Sequence, residues 1–451
     1  MQAPRLFGTN GIRGVVGSTI DAGFAYIIGS SVAMLFRGKA VLVGYDGRTS
    51  SRMLAEGVVA GILAQGNNVE DCGEITTPGL QFLVKWSTGK AGVMVTASHN
   101  PPEYNGFKVV DLDGVEIARD KEEVVERLAA KESRGISKVP GERTSPSEPI
   151  DPYLSSLSTY VSRRELREPM TVVVDTGNGV GALTTPVLLR RLGCRVVTIN
   201  DNIDGGFPGR TSEPRPENLG PLAAAVKAEK AAFGVAHDGD GDRAIFVDEL
   251  GVIHSGDESL TLVEDEVLRK RPGGRVVTPV NSSMSVAEVA KKRRGKLVLT
   301  PVGSINVART MLRVKAILGG EENGGVFYMP HQPVRDGSMA TVLILNAILD
   351  NRLSLSKLMA RLPRFFMAKE KHVCPDNRKV EVMRDIRRKL GNKVTSTIDG
   401  VRVDLKDRGW FLVRASGTEP LVRTYVEGRT EKDLKGLLDE FTPFFDKMIG
   451  S

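Results

Sequence analysis

Apolar runs alternate with stretches of helical periodicity along the first hundred residues. Compact runs indicate buried strands, and apolar residues recurring every three or four positions indicate helices. A strand–helix–strand rhythm of this kind predicts parallel strands joined by crossover helices. The predicted order is strand (39–46), helix (52–65), strand (68–75), helix (77–86) and strand (90–98).

The same rhythm returns at 171–200 and at 274–303, so we expect three related α/β units. The tail differs, because an alternating pattern at 401–416 predicts a hairpin, followed by a strand at 421–428 and an amphipathic helix. The predicted fold class is therefore α/β, with three related α/β domains and a smaller C-terminal α+β domain around a central cleft.

Composition predicts where these units meet. Residues 131–152 are rich in Ser, Pro, Lys and Glu, which marks a linker or a long surface loop. The next boundary is expected near 250, after an apolar strand, and the last near 365, after a helical stretch. The predicted domains are 1–150, 151–250, 251–365 and 366–451.

Composition also narrows the class of protein. The 451 residues are 41% hydrophobic and 26% charged, as in ordinary soluble domains, and the net charge is +7. A positive net charge is compatible with binding acidic metabolites or nucleic acid. It is equally compatible with an ordinary basic surface that has no charged partner. Three widely spaced cysteines argue against a disulfide framework or a zinc site. With no signal peptide and no long apolar segment, we expect a cytoplasmic protein that binds no membrane.

The stretch TASHNPPEYNGFK (96–108) contains Ser98 beside His99. If the strand extends to Ser98, these two side chains point to opposite faces, and His99 is not placed to act as the base of a hydrolase. The Asn105-Gly106 pair predicts a turn that brings Lys108 back towards Ser98. A serine at a strand's carboxyl end lies where α/β sheets bind ligands. A polar turn stiffened by prolines is the alternative.

The stretch AHDGDGDR (236–243) alternates three aspartates with glycines. Carboxylates of Asp238, Asp240 and Asp242 repel one another, so a hard cation such as Mg²⁺ or Ca²⁺ is the expected partner. An EF-hand is rejected, because Arg243 stands where that loop requires glycine and a strand follows.

Two further polar segments suggest ligand contacts. GGEENGG (319–325) offers Glu321 and Asn323 to sugar hydroxyls, although a plain hairpin loop fits it equally. RASGTEPLVR (414–423) resembles a phosphate cradle of hydroxyls, backbone N–H groups and guanidinium forks. Its candidate residues are Arg414, Ser416, Gly417, Thr418 and Arg423.

Together these segments resemble one family, the α-D-phosphohexomutases, which comprise phosphoglucomutase, phosphomannomutase and phosphoglucosamine mutase. The matching motifs occur in the family's order and span nearly the whole chain. They are FGTNGIRG (7–14), TASHNP (96–101), DGDGDR (238–243), GEENG (320–324) and RASGTEP (414–420).

The resemblance implies a reaction that moves a phosphoryl group between the 1- and 6-positions of a hexose monophosphate. Ser98 is the implied phosphoserine, and a hexose 1,6-bisphosphate is the implied intermediate. Mg²⁺ is the implied cofactor, held by Ser98, Asp238, Asp240 and Asp242. The implied catalytic set is Ser98, Lys108, Arg13, Arg243 and His99, with Lys108 as the candidate general acid/base.

By the same resemblance, Glu321 and Asn323 hold the sugar, and the cradle of Arg414, Ser416, Gly417, Thr418 and Arg423 holds the phosphate that is not transferred. The implied partner is a phosphorylated hexose and no nucleic acid. We expect a monomer or a homodimer.

Two departures from the commoner family pattern fall on the sugar side. The sugar loop often reads GExSGH in relatives, whereas this chain has Asn323 for Ser and Gly325 for His. Ser304 stands where relatives often carry His or Asp. The motifs lean towards phosphoglucosamine mutase, with a phosphomannomutase/phosphoglucomutase of broad specificity as the alternative. A metal-dependent sugar phosphatase and a non-catalytic binding protein are the more remote alternatives.

Overall fold

The computed structural model describes residues 5–131, 136–162, 169–417 and 419–450. Within these ranges the chain forms four sheets, three of mixed parallel and antiparallel pairing and one antiparallel. No helix among the described residues is long and apolar enough to cross a membrane. All three cysteines are buried and unpaired.

The first sheet has the strand order β1-β5-β4-β2-β3-β6. Strand β2 is parallel to β3 and β4, as the strand–helix rhythm predicts, and β4 is antiparallel to β5. The elements of this unit are β1 (Ile12–Val15), α1 (Ala22–Leu35), β2 (Val41–Tyr45), α2 (Ser51–Ala64), β3 (Val69–Glu74), α3 (Thr77–Trp86), β4 (Ala91–Val95), β5 (Tyr104–Val110), α4 (Arg119–Ala129) and β6 (Arg143–Thr144).

Two local predictions in this unit are wrong. The strand predicted at 90–98 ends at Val95, because Ser98 has a positive φ of 52° and its N–H bonds to the Thr96 hydroxyl, so the chain turns. The turn expected at Asn105-Gly106 is also wrong, because both residues lie within β5 and the chain reverses earlier, between β4 and β5. The expected linker or long surface loop at 131–152 is mostly exposed in its described part, and it also contains β6, which adds to the edge of the sheet beside β3. Part of that linker, 132–135, lies outside the described residues.

The second sheet has the order β11-β10-β9-β7-β8, and β7 is parallel to both β8 and β9. The edge strand β11 is the last strand of this sheet in chain order, and it ends at His254. The elements are α5 (Asp151–Ser158), β7 (Thr171–Asp175), α6 (Thr185–Arg191), β8 (Arg195–Ile199), α7 (Gly220–Ala228), β9 (Phe233–His237), β10 (Ala244–Asp248) and β11 (Ile253–His254).

The third sheet has the order β13-β12-β14-β15-β16. Helix α11 is buried on nearly all sides and packs against α8, β10 and β15, so it joins the second and third units. The elements are α8 (Gly256–Lys270), β12 (Arg275–Pro279), α9 (Met284–Lys292), β13 (Lys296–Thr300), α10 (Ser304–Val314), β14 (Leu318–Gly320), β15 (Val326–Tyr328), β16 (Gln332–Arg335), α11 (Gly337–Asn351) and α12 (Leu355–Met359).

The fourth unit is the predicted α+β tail, with an antiparallel sheet in the order β17-β20-β19-β18. The predicted hairpin is confirmed as the β18–β19 pair. The elements are β17 (Phe366–Val373), α13 (Asp376–Leu390), β18 (Val401–Asp404), β19 (Gly409–Ala415), β20 (Leu421–Gly428) and α14 (Glu431–Gly450).

The first three units share one arrangement, which confirms the predicted relation between them. In each, a central strand is flanked by two parallel strands, and one of these continues into an antiparallel hairpin, β4–β5, β9–β10 or β14–β15. The three hairpin loops are topologically equivalent. They carry TASHNP, DGDGDR and GEENG, so the fold places the candidate chemistry at one corresponding position in each unit.

Candidate active site

The equivalent loops of the first three units touch one another. The Ser98 Oγ donates a hydrogen bond of 2.8 Å to Asp238 Oδ2, and the Ala244 N–H donates one of 3.1 Å to the Gly324 carbonyl. A Cβ at Gly239 would lie 2.6 Å from the Ser98 carbonyl oxygen, so the first two loops meet backbone to backbone. Residues far apart in sequence thus form one buried polar centre.

His99 lies closer to Ser98 than strand geometry predicts, because the strand has already ended. Its Nδ1 is 3.4 Å from Ser98 Oγ, but the same nitrogen accepts a 2.9 Å hydrogen bond from the Arg243 guanidinium. Burial, and then the charge of Arg243, lowers the pKa of His99 well below its usual value. With its Nδ1 lone pair engaged by an obligate donor, His99 is not available as the base for Ser98.

Arg48 holds the Ser98 loop through its backbone and was not among the predicted site residues. Its guanidinium donates to four carbonyl oxygens, at 2.9 Å to Ser98, 2.6 Å to Asn100, 2.7 Å to Pro101 and 2.9 Å to Tyr104. The side chain is fully buried. Five donors in one rigid plane allow a single arginine to fix a whole loop.

Asp46 is the counter-ion of this clamp. Its Oδ2 is 3.2 Å from the Arg48 Nε and accepts a 2.6 Å hydrogen bond from the Thr96 hydroxyl. Burial raises the pKa of Asp46, and Arg48 with the hydroxyls of Ser51 and Thr96 offsets part of that effect. The Ser98 loop is therefore tied to the carboxyl end of β2.

The acidic triad has the properties of a divalent cation site. Asp238, Asp240 and Asp242 are buried, and each offers a carboxylate oxygen within 4.8 Å of the others. Asp240 Oδ1 and Asp242 Oδ1 are buried without a hydrogen-bond partner among the described residues. Unpaired, buried carboxylate oxygens fit the hard ligand set that Mg²⁺ prefers.

Protein cations surround the same carboxylates. The Lys108 Nζ lies 2.6 Å from Asp240 Oδ2 and 3.0 Å from Asp242 Oδ2. Burial alone would lower the pKa of Lys108, but these two charges raise it above its usual value. Burial would raise the pKa of Asp240, yet Lys108 and the Thr77 hydroxyl hold it below its ordinary range. Burial, then Asp242 and Asp240, raises the pKa of Asp238.

Two arginines link this centre to its neighbours. Arg13, on β1, donates a 2.6 Å hydrogen bond to the Asn100 side chain, and burial lowers its pKa to about 10. Arg243 donates to the Glu213 carboxylate at 3.1 Å as well as to His99. The first and second units therefore contribute guanidinium groups beside the Ser98 loop.

In the sugar loop, Glu321 is buried and Asn323 is half-buried. The Asn323 Oδ1 accepts a 3.2 Å hydrogen bond from the Gly325 N–H, which shapes the turn. Glu321 Oε2 accepts a 3.3 Å bond from Arg335, a residue that sequence reasoning missed. The same guanidinium donates to Asp242 Oδ2 at 2.6 Å, so it connects the sugar loop with the triad.

The candidate phosphate cradle belongs to the fourth sheet, where Arg414 and Arg423 face each other on β19 and β20. Arg414 bonds to Asp399 at 3.0 Å, and Arg423 pairs with Glu419. The Ser416 hydroxyl accepts from the Glu419 N–H. The predicted Thr418 lies outside the described residues.

The cradle approaches the first unit at Gly417. A Cβ at Gly417 would lie 3.8 Å from the hydroxyl of Thr9, within the FGTNGIRG segment. The structure thus brings the Ser98, triad and sugar loops together, and it places the cradle beside the N-terminal segment.

A sequence signal existed for some of the missed residues. Asp46 and Arg48 directly follow β2, a parallel strand, and the rule that ligands gather at strand ends applies there as it does to Ser98. Arg335 and Glu213 stand alone in their segments, and no local pattern marks them.

The chain matches the domain families of phosphoglucomutase/phosphomannomutase along nearly its whole length. The α/β/α domain I matches residues 4–135, domain II 151–251, domain III 255–365 and the C-terminal domain 371–443.

Curated relatives and a solved structure agree with these matches. A phosphoglucomutase/phosphomannomutase of Thermococcus kodakarensis is 39% identical over 446 residues, covering 96% of this chain and 97% of the relative. A phosphoglucosamine/phosphogalactosamine mutase of Sulfurisphaera tokodaii is 38% identical over 446 residues, covering 97% and 98%. A crystal structure of a phosphoglucomutase/phosphomannomutase family protein from Burkholderia thailandensis superposes with a TM-score of 0.88 at 30% identity, covering 99% and 98% of the two chains.

Proposed function

The chain belongs to the phosphoglucomutase/phosphomannomutase family, whose members are isomerases of the phosphohexomutase class, and from this premise we propose that it interconverts hexose 6-phosphate and hexose 1-phosphate through a phosphoserine at Ser98. One observation carries the proposal. The Ser98 Oγ lies 2.8 Å from a triad carboxylate, and two other triad oxygens are buried without hydrogen-bond partners in the described part of the chain.

In the proposed first step, a sugar hydroxyl attacks the phosphorus of phosphorylated Ser98. The new O–P bond forms as the Ser98 Oγ–P bond breaks, which yields a bound hexose 1,6-bisphosphate and an unmodified serine. The attacking hydroxyl loses a proton and Ser98 Oγ gains one. After the bisphosphate turns around, the reverse transfer returns the other phosphoryl group to Ser98.

The residues around Ser98 suit this chemistry, which depends on positioning and on neutralising phosphoryl charge. When bound by Asp238, Asp240 and Asp242, Mg²⁺ would supply two positive charges beside the phosphoryl oxygens. Arg13 and Arg243 add guanidinium groups. Lys108, whose pKa is raised, keeps its proton in this geometry. In the proposed acid/base role it is therefore better suited to donate a proton than to accept one.

On the substrate side, we propose that Glu321 and Asn323 accept and donate hydrogen bonds to sugar hydroxyls. The proposed cradle for the second phosphate is Arg414, Ser416, Gly417, Thr418 and Arg423. The proposed substrate leans to glucosamine phosphate, because the mutase of Sulfurisphaera tokodaii is named for amino sugars. The mutase of Thermococcus kodakarensis, named for glucose and mannose, supports broad specificity as the alternative.

Ser98→Ala tests the nucleophile. The variant should keep the wild-type circular dichroism spectrum and melting temperature, bind Mg²⁺ with glucosamine 6-phosphate in calorimetry, and lose nearly all turnover. Peptide mapping of the wild type should find phosphate on Ser98 in a fraction of the molecules. A fully active Ser98→Ala enzyme would reject the phosphoserine mechanism.

A phosphate-release assay beside the isomer assay separates a mutase from a sugar phosphatase. A panel of glucosamine, N-acetylglucosamine, glucose and mannose phosphates, each with catalytic amounts of its 1,6-bisphosphate, identifies the preferred sugar. A mutase should form isomer faster than it releases inorganic phosphate with at least one sugar of the panel.

A further inference from the structure

The Arg335 side chain occupies the space that a side chain at position 325 would fill, and Gly325 has none. A Cβ at position 325 would lie 2.5 Å from Arg335 Cδ and 2.9 Å from its Cγ, closer than the 3.0 Å below which real Cβ contacts essentially do not occur. Gly325 itself has no positive φ, so space rather than backbone conformation is what a substitution would violate. A side chain at 325 and Arg335 in its observed position therefore exclude each other.

Arg335 cannot easily move aside. It is buried at 3% exposure, and its backbone pairs with Phe327 in the β15–β16 ladder. The next residue, Asp336, caps α11 by accepting a 2.8 Å hydrogen bond from the Met339 N–H. The guanidinium at the other end bonds to Asp242 and Glu321. The side chain is thus held at both ends, with its aliphatic stem over Gly325.

Among the described residues, the donor of a hydrogen bond to the Glu321 carboxylate is the Arg335 guanidinium. Burial raises the pKa of Glu321, and the charges of Arg335 and Arg243 act against that rise. A buried carboxylate with one donor depends on it for orientation. Glu321 therefore keeps its position because Arg335 is present.

The second departure from the family pattern lies beside the same arginine. Ser304, where relatives often carry His or Asp, lines a cavity of about 10 Å³ together with Arg335 and Asp242. Its hydroxyl bonds to the Asn10 side chain at 2.9 Å. Both sugar-side departures of this chain thus lie around Arg335.

We propose that Gly325 and Arg335 form one paired sugar-binding determinant, in which Arg335 holds Glu321 in the orientation that accepts hexose hydroxyls and Gly325 provides the room for it. This inference rests on the proposed phosphohexomutase function. Arg335 acts as a positioning residue through Glu321, in place of a side chain at position 325.

A double-mutant cycle tests the pair by ligand binding, in the Ser98→Ala background so that no turnover interferes. The probe is glucosamine 6-phosphate, measured by calorimetry. Arg335→Met should raise Kd roughly tenfold or more, because the Glu321 carboxylate loses its donor. Gly325→Ala should raise Kd similarly when Arg335 is present, and by less than about twofold in the Arg335→Met background. Arg335→Lys, which keeps one cation, should recover part of the affinity.

Melting temperatures of the same proteins supply a readout that needs no ligand. Gly325→Ala should lower the melting temperature when Arg335 is present and leave it nearly unchanged in the Arg335→Met background, where the side chain at 335 is free to bend away from the added methyl group. Gly220→Ala is the matched control, because a Cβ added at this helical glycine meets no described atom within 4 Å apart from its chain neighbours and the backbone of its own helix. Equal effects of Gly325→Ala in both backgrounds would overturn the pairing.

The proposed function can fail separately from this inference. If the protein with intact Ser98 turns over none of the hexose phosphates, the mutase proposal is wrong, while the melting cycle still decides whether residues 325 and 335 are coupled. If turnover is normal and Arg335→Met retains the wild-type KM and Kd, the mutase proposal stands and the role of Arg335 is rejected.

Discussion

Arg48 and Asp46 hold the Ser98 loop without contributing a reacting atom. Arg48→Lys replaces five donors in a fixed plane with three on a flexible stem, so the carbonyls of the loop lose part of their support. We expect kcat to fall by roughly 10- to 100-fold, since a displacement near 1 Å at a reacting group costs about that much. The KM for sugar phosphate should change little, because the sugar loop and the cradle are untouched.

Steady-state kinetics of Arg48→Lys and of Arg52→Lys provide the comparison. Arg52 is exposed on α2 and serves as the matched control. A loss of affinity with unchanged kcat in Arg48→Lys would contradict a positioning role for the clamp.

The buried carboxyl group of Glu264 should make the stability of the folded protein depend on pH in an unusual direction. It is fully buried on α8, and neither carboxylate oxygen has a partner among the described residues. Burial raises its pKa well above the usual value. In the unfolded chain it ionises above about pH 4.3, so stability is lost as pH rises from that value towards the higher folded-state pKa. Glu264→Leu should therefore raise the melting temperature more at pH 8 than at pH 4.5.

Thermal melts across that pH range check the prediction. Glu381→Leu, at an exposed carboxylate on α13, controls for the general effect of losing one charge. A stabilisation by Glu264→Leu that is the same at both pH values would show that Glu264 is not the titrating group.

At the residue scale, the local chemistry of Ser98 and the triad could be predicted from sequence because each motif is contiguous. The residues that contact them could not be predicted in this way. Arg48 is 50 residues from Ser98, and Arg335 is 93 residues from Asp242. Such contacts depend on how loops of different units meet, which no local pattern records.

Among the elements, helices α1 and α2 pack unusually closely. A Cβ at Gly61 would lie 2.2 Å from the Tyr26 carbonyl oxygen and 2.7 Å from the Ser30 nitrogen, both backbone atoms of α1. Gly61→Ala should lower the melting temperature by several degrees, although alanine favours a helix by about 1 kcal/mol over glycine.

Gly220→Ala on α7 again serves as the control for Gly61→Ala, and it should be neutral or slightly stabilising. Because Asn105 bonds to Ser50 and Ser51 at the start of α2, the displaced helix should also reduce turnover. An unchanged melting temperature in Gly61→Ala would mean that the helices separate at little cost.

Element prediction succeeded where periodicity and capping agree. Helix α3 was predicted at 77–86 and is observed at Thr77–Trp86, with the Thr76 hydroxyl as its N-cap and a proline in its first turn. Prediction failed at β4, where side-chain hydrogen bonds of Thr96 end the strand early, and at β6. The latter is two exposed residues long and exists only because the edge of β3 is available.

For the whole molecule, the repeated topology explains why three unrelated-looking motifs converge. Each lies in the hairpin loop after a parallel strand, and the units are packed so that these loops meet. Asp399 makes one of the contacts between the fourth unit and the third, because it accepts hydrogen bonds from both the Val302 N–H and Arg414. The sequence predicted the four units, whereas their contacts follow from packing between units.

The domain boundaries near 150, 250 and 365 stay predictions. The cradle contacts the third unit through Asp399 and lies near Thr9 of the first, so it is next to both of these units. In the proposed mechanism, binding of the distant phosphate would hold the sugar while the phosphoryl group moves.

The fate of the phosphoryl group on Ser98 tests the central claim most directly. The enzyme is phosphorylated with radiolabelled hexose 1,6-bisphosphate, freed of ligand, and mixed with one equivalent of unlabelled glucosamine 6-phosphate, or with the sugar preferred in the panel. Chromatography then follows the label. The account predicts that the label leaves Ser98 and appears in hexose bisphosphate and monophosphate, with little inorganic phosphate. Label that stays on the protein, or that is released mainly as inorganic phosphate, would contradict it.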